Sequence, residues 1–108
     1  MDPKTLFVDK LPQVIGATPD KARALDAIYV FKVSGDSGGT WTVDLRSDPP
    51  CVRDGEAATN DCVVEITDAD LQTLLSDPSQ GMSMFIQGRI RVTNPLMATK
   101  LTDLLKMV

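Results

Sequence analysis

The chain contains no histidine. That absence decides how one stretch is read. Residues 34–41 are SGDSGGTW, and Gly35-Asp36-Ser37-Gly38-Gly39 spells the signature around the reactive serine of trypsin-like proteases. A serine hydroxyl needs an adjacent base to take its proton, and in that triad the base is a histidine. This chain has none, has no lysine near Ser37 in sequence, and with 108 residues is too short for two β-barrels. The flanks give the stretch another meaning. AIYVFKV (27–33) and TWTVDL (40–45) are rich in β-branched and aromatic residues and predict strands. Gly, Asp and Ser between them predict a hairpin turn of five or six residues.

Other shortages narrow the field. The two cysteines, Cys51 and Cys62, cannot complete a usual zinc ligand set without histidine. The opening MDPKTLFVDK carries acidic residues and is amphipathic, unlike a secretory signal peptide, so free thiols, a reducing compartment and a cytoplasmic location are expected. No apolar run approaches the roughly 18 residues of a membrane span. Basic residues are outnumbered, 11 against 15 acidic, and the net charge of −4 argues against a nucleic-acid partner. No Gly-x-x-x-x-Gly-Lys phosphate cradle occurs, and no cofactor is expected.

What is present describes one small globular domain, residues 1–108, with no repeat or linker. Asp2-Pro3 predicts a capped helix start, and Leu6, Phe7, Leu11, Val14 and Ile15 recur at helical spacing. Pro12 predicts a kink or break near Leu11. Thr18-Pro19 opens a second short helix to about Leu25 by the same capping logic. Strands are predicted at 27–34, 40–46, 51–53 and 61–66, arranged as a meander. TDADLQTLLSD (67–77) predicts a helix capped by Thr67, with Leu71, Leu74 and Leu75 on one face. A calcium loop at Asp68-Ala69-Asp70 is excluded, because Thr73 and Ser79 stand where Gly and Glu are needed. Arg89-Ile90-Arg91-Val92 alternates as a strand, with Ile90 and Val92 on one face. Asn94-Pro95 then opens a terminal helix whose Leu96, Met97, Leu101, Leu104, Leu105 and Val108 form an amphipathic stripe.

Four stretches in this order resemble the sterol carrier protein 2 family of lipid-binding domains. They are TWTVDL (40–45), DCVVEITDADLQTLLS (61–76), MSMFIQGRIRV (82–92) and LMATKL (96–101). The likeness covers about residues 25–105. It implies an α+β fold, a five-stranded mixed β-sheet covered on one face by helices. It also implies an apolar cavity or tunnel between the sheet and the C-terminal helices, binding fatty acid, fatty acyl-CoA, sterol or phospholipid without transforming it. Three departures stand out. Gly81 replaces a common proline, the turn Thr93-Asn94 lacks a glycine, and the chain ends Lys106-Met107-Val108 rather than in a peroxisomal Ser-Lys-Leu.

The residues suit such a site on their own chemistry. A lipid pocket needs apolar walls and few polar groups, and methionine adapts to irregular shapes. The expected ligand-binding set is Trp41, Leu71, Leu75, Met82, Phe85, Ile86, Gln87, Met97, Leu101, Leu104 and Leu105. Each apolar member serves equally as core, Trp41 as packing beside the hairpin, and Gln87 as a turn residue. Arg89, Arg91 and Lys100 read either as phosphate contacts or as a solvated face. A non-enzymatic lipid carrier is therefore expected, monomeric or weakly dimeric, with transient membrane or enzyme contacts open to it. The alternatives are a structural or dimerisation module, or an accessory domain presenting an apolar substrate to a partner enzyme.

Overall fold

The computed structural model describes residues 3–36, 38–47, 50–94, 100, 103 and 104. A helical run opens the chain: α1 (Pro3–Thr5), a π-helical segment (Leu6–Lys10) and α2 (Leu11–Ala17). The segment closes with the Leu11 N–H donating to the Leu6 carbonyl. Pro12 has no N–H, and its ring crowds the carbonyl four residues back, that of Val8. A widened turn ahead of it relieves that crowding, so the expected break takes the form of a change of helix type. Asp2, the expected first cap, lies outside the described residues.

The short helix α3 (Pro19–Ala24) follows with Pro19 at its first position. Thr18 does not cap it as expected; its hydroxyl donates back to the Val14 carbonyl at 2.9 Å. Five strands then form one sheet: β1 (Ile28–Ser34), β2 (Gly39–Asp44), β3 (Cys51–Asp54), β4 (Cys62–Thr67) and β5 (Ile90–Val92). Their order is β3-β2-β1-β4-β5. The expected meander holds only for the first three. Strand β4 crosses over and pairs parallel to β1, with Phe31 beside Val64, and β5 pairs antiparallel to β4.

The hairpin between β1 and β2 accounts for the serine-protease-like letters. The Gly38 N–H donates to the Gly35 carbonyl at 3.1 Å. Gly35 has φ +109°, and a Cβ there would collide with the Asp68 carboxylate. A Cβ on Gly38 would strike the Val33 carbonyl. The glycines therefore serve the turn, while Ser37 lies outside the described residues.

Alternation places Tyr29, Phe31, Val33, Trp41, Val43, Cys62, Val64, Ile66 and Ile90 on one face of the sheet, and all are buried. Leu6, Phe7, Leu11 and Ile15 from the N-terminal helices join them in one core. So do Leu71 and Leu74 from α4 (Asp68–Ser76) and Met84 from α5 (Gly81–Ile86). Lys100, Asp103 and Leu104 are helical, and Leu104 is fully buried in the same core. On the opposite face the β3–β4 loop crosses the sheet. There the Thr42 hydroxyl donates to the Gly55 carbonyl and accepts from the Ala57 N–H.

Candidate functional site

Helix α4 starts as its sequence requires. The Thr67 hydroxyl accepts from the Asp70 N–H at 3.1 Å, the N-cap bond. The Asp70 carboxylate then turns to Arg89, whose Nη2 lies 2.6 Å from Oδ1. That pair holds the guanidinium above its ordinary pKa through hydrogen bonding and charge, and ties the strand after α5 to the head of α4. Arg89 is thus engaged within the chain.

A 3-10 turn (Pro78–Gln80) leads from α4 into α5. The Asp77 carboxylate accepts from the Ser79 hydroxyl and the Gln80 amide, which hold it below the usual carboxylate range. Helix α5 ends in a Schellman motif. The Arg89 N–H donates to the Met84 carbonyl and the Gly88 N–H to that of Phe85, with Gly88 at φ +75°. Gln87 sits in this turn, exposed, its amide oxygen 3.4 Å from Arg89 Nη1.

The six residues of α5 divide by face. Met84 points into the core and is fully buried. Met82, Phe85 and Ile86, at offsets 0, 3 and 4, share the other face and are 66%, 39% and 76% exposed. Globular proteins seldom leave three large apolar side chains together in water without a use for them. In the core, Leu71 and Leu104 are buried, and Leu75 packs half-buried against it. The structure thus brings Leu71, Leu75, Met82, Phe85, Ile86 and Gln87 onto adjacent elements. Met97, Leu101 and Leu105 lie outside the described residues.

Trp41 stands elsewhere. It stacks on Phe7 and lines a groove of about 390 Å³ between the N-terminal helices and the edge of the sheet. Lys4, Phe7, Val8 and Pro12 form its helical wall; Trp41, Val52, Arg53 and Asp54 form the other. Sequence reasoning missed this groove. The signal available was Phe7 and Val8 at the head of a helix that had to cross a Trp-bearing strand. Cys62 is a free, fully buried thiol within the core.

Residues 8–106 match the family model described as the SCP-2 sterol transfer family. Human hydroxysteroid dehydrogenase-like protein 2 is 34% identical over 88 residues, which are 80% of this chain and 21% of that protein. Rabbit (Oryctolagus cuniculus) sterol carrier protein 2 is 31% identical over 86 residues, 76% of this chain and 16% of its own length. The chain therefore spans about a fifth or less of these two relatives. The solution structure of the sterol carrier protein domain 2 of Helicoverpa armigera superposes with a TM-score of 0.74 at 24% identity, covering 98% of this chain and 91% of that one.

Proposed function

Because the chain belongs to the SCP-2 sterol transfer family, we propose that it carries a long-chain lipid and does not transform it. Lipid binding follows from the family; the kind of lipid and its seat are the proposal. The ligand lies against the outward face of α5, beside α4 and the terminal segment, since Met84 turns the other face of α5 into the core. Leu71 and Leu104, buried in that core, support the wall from within. Leu75, Met82, Phe85 and Ile86 form one wall, completed by Met97, Leu101 and Leu105. Gln87 meets the headgroup, while Trp41, expected in the lining, stacks on Phe7 beside a separate groove and takes no part in this seat.

The observation that carries this reading is the apolar face of α5. Met82 and Ile86 stand largely in water and Phe85 partly so, beside the core, the arrangement an alkyl guest would cover. The magnitudes allow it. A sixteen-carbon chain gains about 12 kcal/mol gross on leaving water, at ~0.8 kcal/mol per methylene. Association costs start at about 4 kcal/mol, and at that low end the net of about 8 kcal/mol corresponds to micromolar-class affinity. A fatty acid, fatty acyl-CoA, sterol or phospholipid would each meet these walls.

Native mass spectrometry of freshly purified protein tests the reading. The expected result is a mass excess that extraction resolves into a fatty acid, sterol or phospholipid. A protein that stays empty after incubation with all four classes, fatty acyl-CoA included, overturns it.

A second reading rests on a separate observation. The chain matches only 21% of hydroxysteroid dehydrogenase-like protein 2, whose name denotes an enzyme-like protein. Under it the domain presents an apolar substrate to a catalytic partner. It predicts that bound lipid leaves faster when that partner is added.

A further inference from the structure

We infer that the groove beside Trp41 takes an extended peptide, added as a strand to the outer edge of β3, which pairs with no further strand among the described residues. Strand β3 is the last in the sheet. Its register to β2 pairs Cys51 with Asp44 and Arg53 with Thr42, and the Gly55 N–H donates to the Thr40 carbonyl. Antiparallel bonding alternates, so Cys51 and Arg53 direct their backbone groups at β2. Val52 and Asp54 therefore turn theirs outward, toward the outer edge.

The same alternation places Val52, which pairs with Val43, and Asp54, which pairs with Trp41, on the sheet face that bears the groove. A strand laid along this edge would bond Val52 and Asp54 through its backbone. Its alternate side chains would enter the groove between Val52, Phe7 and Val8, the last 53% exposed.

Chemistry favours a peptide over an alkyl chain here. A lipid laid against β3 would shield two outward amides and their carbonyls from water and offer them nothing, a cost at every group. A peptide meets each of them. Charge narrows the peptide further. Arg53 is already paired with Asp44, whereas Lys4 and Asp54 both line the groove with no ion-pair partner among the described residues, one charge of each sign. The occupant is thus an extended segment of another protein, with aliphatic side chains at alternate positions, an acidic residue facing Lys4 and a basic residue facing Asp54. This inference is independent of the lipid reading.

Selection of a displayed hexapeptide library on the intact chain provides the test, followed by titration of the enriched synthetic peptides into ¹⁵N-labelled protein. Enriched peptides should alternate aliphatic residues and carry an acidic and a basic residue. Their binding should shift the Val52 and Asp54 amides and slow their hydrogen exchange at least tenfold. Lys4→Glu, at an exposed position, should weaken binding tenfold or more while leaving the circular dichroism unchanged. N-methylation of the peptide at alternate residues should abolish binding.

Three outcomes overturn the inference. One is an absence of enrichment. Another is enrichment of peptides that shift α5 instead of β3. The third is protection of Val52 and Asp54 without peptide, rising with protein concentration or on adding palmitate, which would assign the edge to a second copy or to lipid.

Discussion

The Phe7 ring lies stacked on the Trp41 indole, ring centroids 4.8 Å apart and planes inclined by 14°. Phe7 also meets Phe31 at 4.9 Å, so one helical side chain bridges two neighbouring strands. Phe7→Ala should cost about 3–5 kcal/mol, transfer and cavity terms together. Urea unfolding followed by tryptophan emission reads this directly, since Trp41 is the single tryptophan. A loss below about 1 kcal/mol would show that the N-terminal helices add little to the core.

Lipid uptake should depend on the outward face of α5 and not on its inward face. Phe85→Trp and Leu101→Trp should weaken uptake of a fluorescent fatty acid. Ile86→Ser should weaken it about tenfold, since burying such a side chain is worth about 1.5–3 kcal/mol. Phe85 and Ile86 are exposed, so thermal midpoints of those two variants should stay near that of the parent. Unchanged binding in all three variants would remove these residues from the lining.

Loss of the α4 cap should be felt in stability alone. Thr67→Ala removes the acceptor for the Asp70 N–H and should cost about 1 kcal/mol. Thr67→Ser should recover most of it. Differential scanning calorimetry on the pair separates a capping effect from a general surface effect, because only the cap distinguishes serine from alanine.

The alkaline limit of the fold should coincide with ionisation of its one tyrosine. Burial raises the Tyr29 phenol well above its ordinary pKa, and the nearby Cys62, Asp61 and Asp103 add to this. A pKa raised in the folded state gives stability that is whole below the unfolded value of about 10 and declines as pH climbs past it. Absorbance at 295 nm should therefore rise together with the loss of circular dichroism above that pH. Tyrosinate appearing at pH 10 in fully folded protein would contradict this.

Local chemistry was legible in the sequence and distant pairing was not. Strand β2 announced itself through Thr40-Trp41-Thr42-Val43, and α4 through Thr67 and the leucines that follow. In each case the cause lies within a few residues. The five-stranded mixed sheet came from the family resemblance, because nothing in Cys62–Thr67 says that it will lie beside β1 and not β3. That choice is made by burial on both sides of Phe31, where Trp41 and Val64 are its flanking partners. Thr18 misled because its hydroxyl could reach Val14 as readily as the next turn. The methionine cluster showed its apolar character, but only the helix phase separated buried Met84 from exposed Met82.

The parallel partnership of β1 with β4 sets a schedule for folding. Ile28 and Asp61, bonded from backbone N–H to carboxylate at 2.8 Å, are 33 residues apart in the chain. A nascent chain emerging from the ribosome would expose one flank of its central strand until Cys62–Thr67 had been made. Closing so long a loop is slow compared with forming a hairpin. Throughout that wait the backbone edge of β1 that later pairs with β4 would be open to any passing aggregation partner, so this interval is where a chaperone would act.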